Sequence, residues 1–127
     1  EVPIERCAEF VDWFLANVPI QPLWLCPLRL RDNTGGWPLY PIKPGHSYVN
    51  IGIWSSVPAG PESGYTNRMI ETKVSALDGH KSLYSDAYYR PEEFDELYGG
   101  EAYRTVKRVY DPDSRLLDLY AKAVQRR

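Results

Sequence analysis

Histidine, cysteine and methionine are nearly absent from this chain: His46 and His80, Cys7 and Cys26, and Met69 are all it has. Two cysteines without CxxC spacing support neither a disulfide framework nor a zinc site. With the histidines far apart in sequence, no metal centre is expected. No apolar run approaches the ~20 residues that cross a bilayer, and no signal peptide opens the chain. A cytoplasmic protein with no membrane span in this stretch is the expectation. Basic excess is missing too. Lys and Arg number 15 against 17 Asp and Glu, a net charge of −2, so nothing here is built to neutralise a phosphate backbone. Nucleic acid is not an expected partner. A Gly-rich dinucleotide fingerprint is also lacking, and with it any phosphate cradle.

Aromatic side chains are what the chain does have. Ten Tyr, four Trp and three Phe fill 13% of 127 residues, bringing large apolar area with polar tips that suits cores, ligand sites and interfaces. The length allows one core and one domain.

Helical spacing of Cys7, Val11, Phe14, Leu15 and Val18 predicts a helix over Pro3–Asn17, with Pro3 at its first position. Pro19 and Pro22 stop it. Leu23–Arg31 reads as a strand at an edge or bulge, given Pro27. After the turn-rich stretch Asp32–Ser47, Tyr48–Ser55 alternates as a second strand. A helix over Ser63–Leu77 ends at Gly79 as a left-handed cap, and Ser82–Tyr88 reads as a third strand. Helices then follow from Pro91, over Glu101–Val109 and over Ser114–Gln125. This order predicts an α+β fold: a ferredoxin-like antiparallel sheet lacking its first strand, two helices on one face, and a helical C-terminal tail. A chain that starts at Glu1, directly before a helix, fits a piece of a longer protein whose upstream part completes the sheet.

Strand parity divides that sheet. Val49, Ile51 and Ile53 belong under the helices. Trp24, Tyr48, Asn50, Gly52, Trp54, Tyr84, Asp86 and Tyr88 fall on the other side. Such aromatic density suits a contact surface, and Gly52 in mid-strand suits close approach to the backbone. Tail helices covering this face are the plainer alternative.

The segment Tyr103–Leu116, with Lys107, Asp111-Pro112 and Leu116, resembles the closing segment of FAD-linked oxidases of the vanillyl-alcohol oxidase type. Trp24-Leu25-Cys26-Pro27, Tyr48–Gly52, Leu83–Tyr88, Glu93-Phe94 and Gly99-Gly100 with Tyr103 resemble the delta(24)-sterol reductase branch, in family order. The resemblance implies a two-domain flavoenzyme. An upstream domain would hold most of the FAD, and this single domain would cap the flavin ring and shape a small-molecule substrate pocket. The intact protein would move hydride between flavin and an apolar or alcohol-type substrate, and this part alone would be inactive.

Within that frame Tyr84 matches the family tyrosine near flavin and substrate, placed to transfer a proton; a tyrosine satisfied locally is the alternative. Asp86 would act as an acid if desolvated, or else bond Arg29, Lys81 or backbone. The lysine that some oxidases carry three residues after the tyrosine is Ala87 here. Trp24, Asn50, Trp54 and Tyr88 would line the pocket. His80 suits a proton relay and Lys107 a cofactor phosphate or carboxylate, although solvation alone accounts for both. The rival reading is a stand-alone ferredoxin-like module binding a metabolite or RNA, although the Lys/Arg-Gly-Phe pattern is missing.

Overall fold

Pro3 keeps an extended backbone (ψ 142°), so it closes a short strand, β1 (Val2–Pro3), instead of opening the first helix. A single tight turn over Ile4–Arg6 leads into α1 (Cys7–Asn17). The computed structural model describes residues 1–58 and 60–127. Along it follow β2 (Trp24–Arg29), β3 (Ser47–Gly52), α2 (Tyr65–Ala76), α3 (Pro91–Leu97), α4 (Gly100–Tyr110) and α5 (Leu119–Ala123).

The three strands form an antiparallel sheet in the order β1-β3-β2. Two strands flanking a third antiparallel to both, with α1 as the crossover, is the split βαβ arrangement expected of a ferredoxin-like α+β fold. The first strand is therefore not wholly missing; its place is held by two residues, with Val2 opposite Val49. Pro27 stands opposite Val49 in outer strand β2, where a missing N–H is tolerated.

Parity puts Val2, Val49, Ile51 and Ile53 beneath the helices. Phe10 and Phe14, one turn apart on α1, and Val74 and Leu77 from the end of α2 close a core with Val2, Val18 and Ile20. Leu15, expected on that face, is exposed, and Phe10 and Trp13 pack instead.

Ser82–Tyr88 is not a strand. The chain turns at Leu83–Tyr84 and bends at Ser85. β1 supplies backbone partners only as far as Glu1, which exchanges hydrogen bonds with His80 at 2.8 Å in both directions. Past that pair one backbone bond, from the Ala87 N–H to the Ala123 carbonyl at 3.3 Å, ties the segment to the tail, and side chains hold the rest. Lys81 donates to the Asp86 carbonyl at 2.7 Å, and Glu71 accepts from the Tyr88 N–H at 3.2 Å.

The end of α2 also departs from expectation. Asp78, not Gly79, adopts the left-handed conformation (φ 54°). The Asp78 N–H bonds the Ser75 carbonyl and the Gly79 N–H the Val74 carbonyl, at 3.1 and 2.9 Å, which is a Schellman closure. Gly79 is needed for proximity, since a Cβ there would lie 2.6 Å from the Glu1 carbonyl oxygen.

Ala87, Tyr89, Phe94 and Tyr98 form a second core, with Leu119, Tyr120 and Val124 against it. The expected Ser114–Gln125 helix shrinks to α5, because Asp111 ties up the backbone before it. The Asp111 carboxylate accepts from the N–H groups of Arg115 (2.8 Å) and Leu116 (3.0 Å). Asp118 then caps α5 through the Ala121 N–H at 2.6 Å.

Candidate functional site

Trp24 stands opposite Gly52 across the β2–β3 ladder, and Trp54 follows two residues later on the same face. Their ring centroids are 5.7 Å apart and tilted by 50°. Both rings lie over the glycine: a Cβ on Gly52 would meet Trp54 at 2.6 Å and Trp24 at 2.9 Å. Gly52 thus lets two indoles rest on the sheet, while Trp54 stays 75% and Trp24 51% exposed. Asn50, paired with Cys26, is partly buried beside them. This open apolar platform with an amide at its margin can take a flat ligand against one of its indoles.

The other half of the same face is covered by the chain itself. Tyr48 is buried there, and its hydroxyl accepts from the Lys43 N–H at 3.3 Å. The Tyr40 hydroxyl donates to Glu1 Oε1, which also accepts from Ser82 Oγ at 2.8 Å. Glu1 Oε2 is buried without a partner among the described residues. His80 packs between Tyr40 and Tyr98, with centroids 5.6 and 4.7 Å away. Burial lowers its pKa below the usual imidazole value, against the pull of the Glu1 carboxylate. Burial likewise raises the phenols of Tyr40 and Tyr98 above the ordinary tyrosine range, and Tyr98 donates to the Lys81 carbonyl at 2.6 Å.

The remaining residues singled out from the sequence do not join the platform. Tyr84 sits in the turn, 97% exposed. Asp86 is exposed and pairs with Arg126 at 3.3 Å. Tyr88 is packed against α2: Arg68 and Arg126 lie over its ring at 5.5 and 4.8 Å, and a Cβ on Gly64 would collide with it. Tyr84 and Tyr88 therefore do not share a sheet face with Trp54.

Lys107 bonds the Asp111 carboxylate and donates to the Leu116 carbonyl at 2.7 Å. Lys107, Asp111 and Leu116, spaced along the sequence, close one knot at the end of α4. Asp111 is held below the usual carboxylate range, first by the Lys107 hydrogen bond.

Sequence reasoning passed over Tyr40, Glu1 and Glu71. Tyr40 belongs to a stretch flagged only as turn-rich. Glu71 faces inward from α2, where its position on the apolar stripe beside Val74 was the available signal. Among the described residues, no three His, Cys, Asp or Glu side chains come together as metal ligands, and no helix is long and apolar enough to cross a membrane.

A delta(24)-sterol reductase homologue of Caenorhabditis elegans is 30% identical over 106 residues, which cover 80% of this chain and 19% of that protein. The rat and human delta(24)-sterol reductases are 27% and 26% identical over 124 residues, covering 95% of this chain and 23% of theirs. The chain is a relative of the delta(24)-sterol reductases. The chain spans about a fifth to a quarter of the length of the curated relatives it matches. No protein-family model and no solved structure matches it.

Proposed function

We propose that this chain is the C-terminal cap domain of a longer FAD-dependent oxidoreductase, exchanging hydride between flavin N5 and an apolar or alcohol-type substrate. The observation that carries this reading is the Trp24–Trp54 platform over Gly52, in a chain whose relatives are named sterol reductases. Their name favours reduction of a sterol-like C=C bond as the direction.

The residues fit a flavin at its ring end only. An exposed aromatic platform beside Asn50 accepts a flat face, while no glycine-rich cradle is present for the pyrophosphate. An upstream domain of the same protein is the partner that would hold that part. Val109, Tyr110, Leu116 and Leu117 are also well exposed, an apolar surface suited to contact with the rest of a larger protein.

When bound, FAD supplies the hydride chemistry. In this reading Trp24 and Trp54 exclude water from one side of the reacting pair, and Asn50 orients it by hydrogen bonding. The Tyr84 phenol, exposed in its turn and off the platform, passes a proton to or from the substrate once the longer protein brings the two together.

The test is to produce the longer protein and record its absorbance. A yellow, folded product that loses substrate-dependent turnover on Tyr84→Phe, yet keeps its flavin, is expected. A folded colourless product overturns the reading.

A further inference from the structure

We infer that the sheet is completed by the polypeptide joined to the amino side of Glu1, which enters as an extension of β1 between β3 and the His80–Tyr84 segment. This rests on the reading that the chain belongs to a longer protein.

Register carries the argument. Glu1 and His80 exchange both backbone hydrogen bonds, the mark of a hydrogen-bonded antiparallel pair. His80 is thus one rung of a further strand on the outer side of β1. On the inner side Val2 stands opposite Val49. Because backbone groups alternate along a strand, the N–H and carbonyl of Ile51 face the same side as those of Val49. β1 stops one residue short of reaching them. β3 continues to Gly52 and is paired along its whole length with β2, from Trp24–Gly52 to Arg29–Ser47. Its other edge lacks a β1 partner beyond Val49.

Two further observations locate the entry. The Glu1 residue is only 8% exposed, and burial drives its ammonium toward the neutral form. An amide N–H donating to His80 from the same place would carry no such penalty. Gly79, held against the Glu1 carbonyl, keeps the His80 segment close enough to act as a ladder.

The same register fixes the side chains. The residue immediately before Glu1 falls opposite Ile51 on the core face and must be apolar. The next lies between Gly52 and Ser82 on the platform face. The fourth lies in one row with Trp54 and Tyr84, which would be two strand spacings apart, about 10 Å. Because Leu83–Tyr84 is a turn in the chain as it stands, strand addition brings Tyr84 onto the platform face only by straightening that turn.

Hydrogen exchange on the longer protein, compared with the chain beginning at Glu1, tests this. Amides of Ile51, Ile53 and Ser82 should slow by about tenfold or more in the longer protein. Unchanged exchange at all three in a folded longer protein would overturn the inference, as would a charged residue or a proline immediately before Glu1. If no coding sequence precedes Glu1, the two-domain reading fails first, a result distinct from either.

Discussion

Lys81 Nζ lies 2.6 Å from Glu71 Oε1, and both side chains are almost sealed from solvent. This pair fastens the His80–Tyr89 segment to α2 in place of a backbone ladder. Burial raises the Glu71 pKa while Lys81 pulls it back. Removing one partner of a buried pair strands the other charge. Glu71→Ala should therefore destabilise the chain by about 3 kcal/mol in urea denaturation. The double change Glu71→Met with Lys81→Met should recover much of that loss. A neutral Glu71→Ala would show that the pair is wet and the segment loose.

His80 should make stability depend on pH. Its folded pKa lies below the usual imidazole value because the ring is buried between Tyr40 and Tyr98. The unfolded chain then binds the proton more readily than the folded one. The contribution is complete above the unfolded pKa, about 6.5, and is lost as pH falls through the depressed folded value. Melting temperature should drop between neutral and mildly acid pH, and His80→Gln should flatten that slope. Parallel slopes in the two proteins would remove His80 as the cause.

Gly52→Ala separates the platform from the fold. The new methyl would strike the outer ring atoms of Trp54 and Trp24, and both indoles have open solvent to move into. Stability should change by no more than about 1 kcal/mol, while the coupled-indole signal in far-ultraviolet circular dichroism disappears. In the longer protein the same change should weaken substrate or flavin retention. An unaltered dichroism spectrum would mean that the rings are not in contact in solution.

Asp111→Ala should open the tail without melting the core. It releases Lys107 and the N–H groups of Arg115 and Leu116 together. Limited proteolysis should then cut between Asp113 and Leu117, with the main unfolding transition little changed. Because the Asp111 pKa is depressed, this knot should also loosen in the intact chain as pH falls through that lowered value. Resistance to protease in the variant would show that the knot is dispensable.

Phe14 is wholly buried between the sheet and the helices. Phe14→Ala should cost about 3–5 kcal/mol in the same denaturation assay, enough to unfold a marginal domain. A smaller loss would indicate that α1 closes over the gap.

Alternation and helical spacing are local properties, so the sequence alone determined β2, β3, α1 and α2, the inward row of Val49, Ile51 and Ile53, and the placing of Trp24, Asn50, Gly52 and Trp54 on one face. A strand, unlike a helix, also needs a neighbour's backbone. Ser82–Tyr88 has strand-like alternation, but β1 offers it a ladder only at His80, so Tyr84, Asp86 and Tyr88 leave the platform. The tail depended in the same way on a contact that no periodicity contains: Asp111 takes the N–H groups of Arg115 and Leu116, and α5 begins only at Leu119. Tertiary structure alone decided which half of the aromatic face stays open, because Tyr40 and Tyr98 reach it from segments distant in the chain.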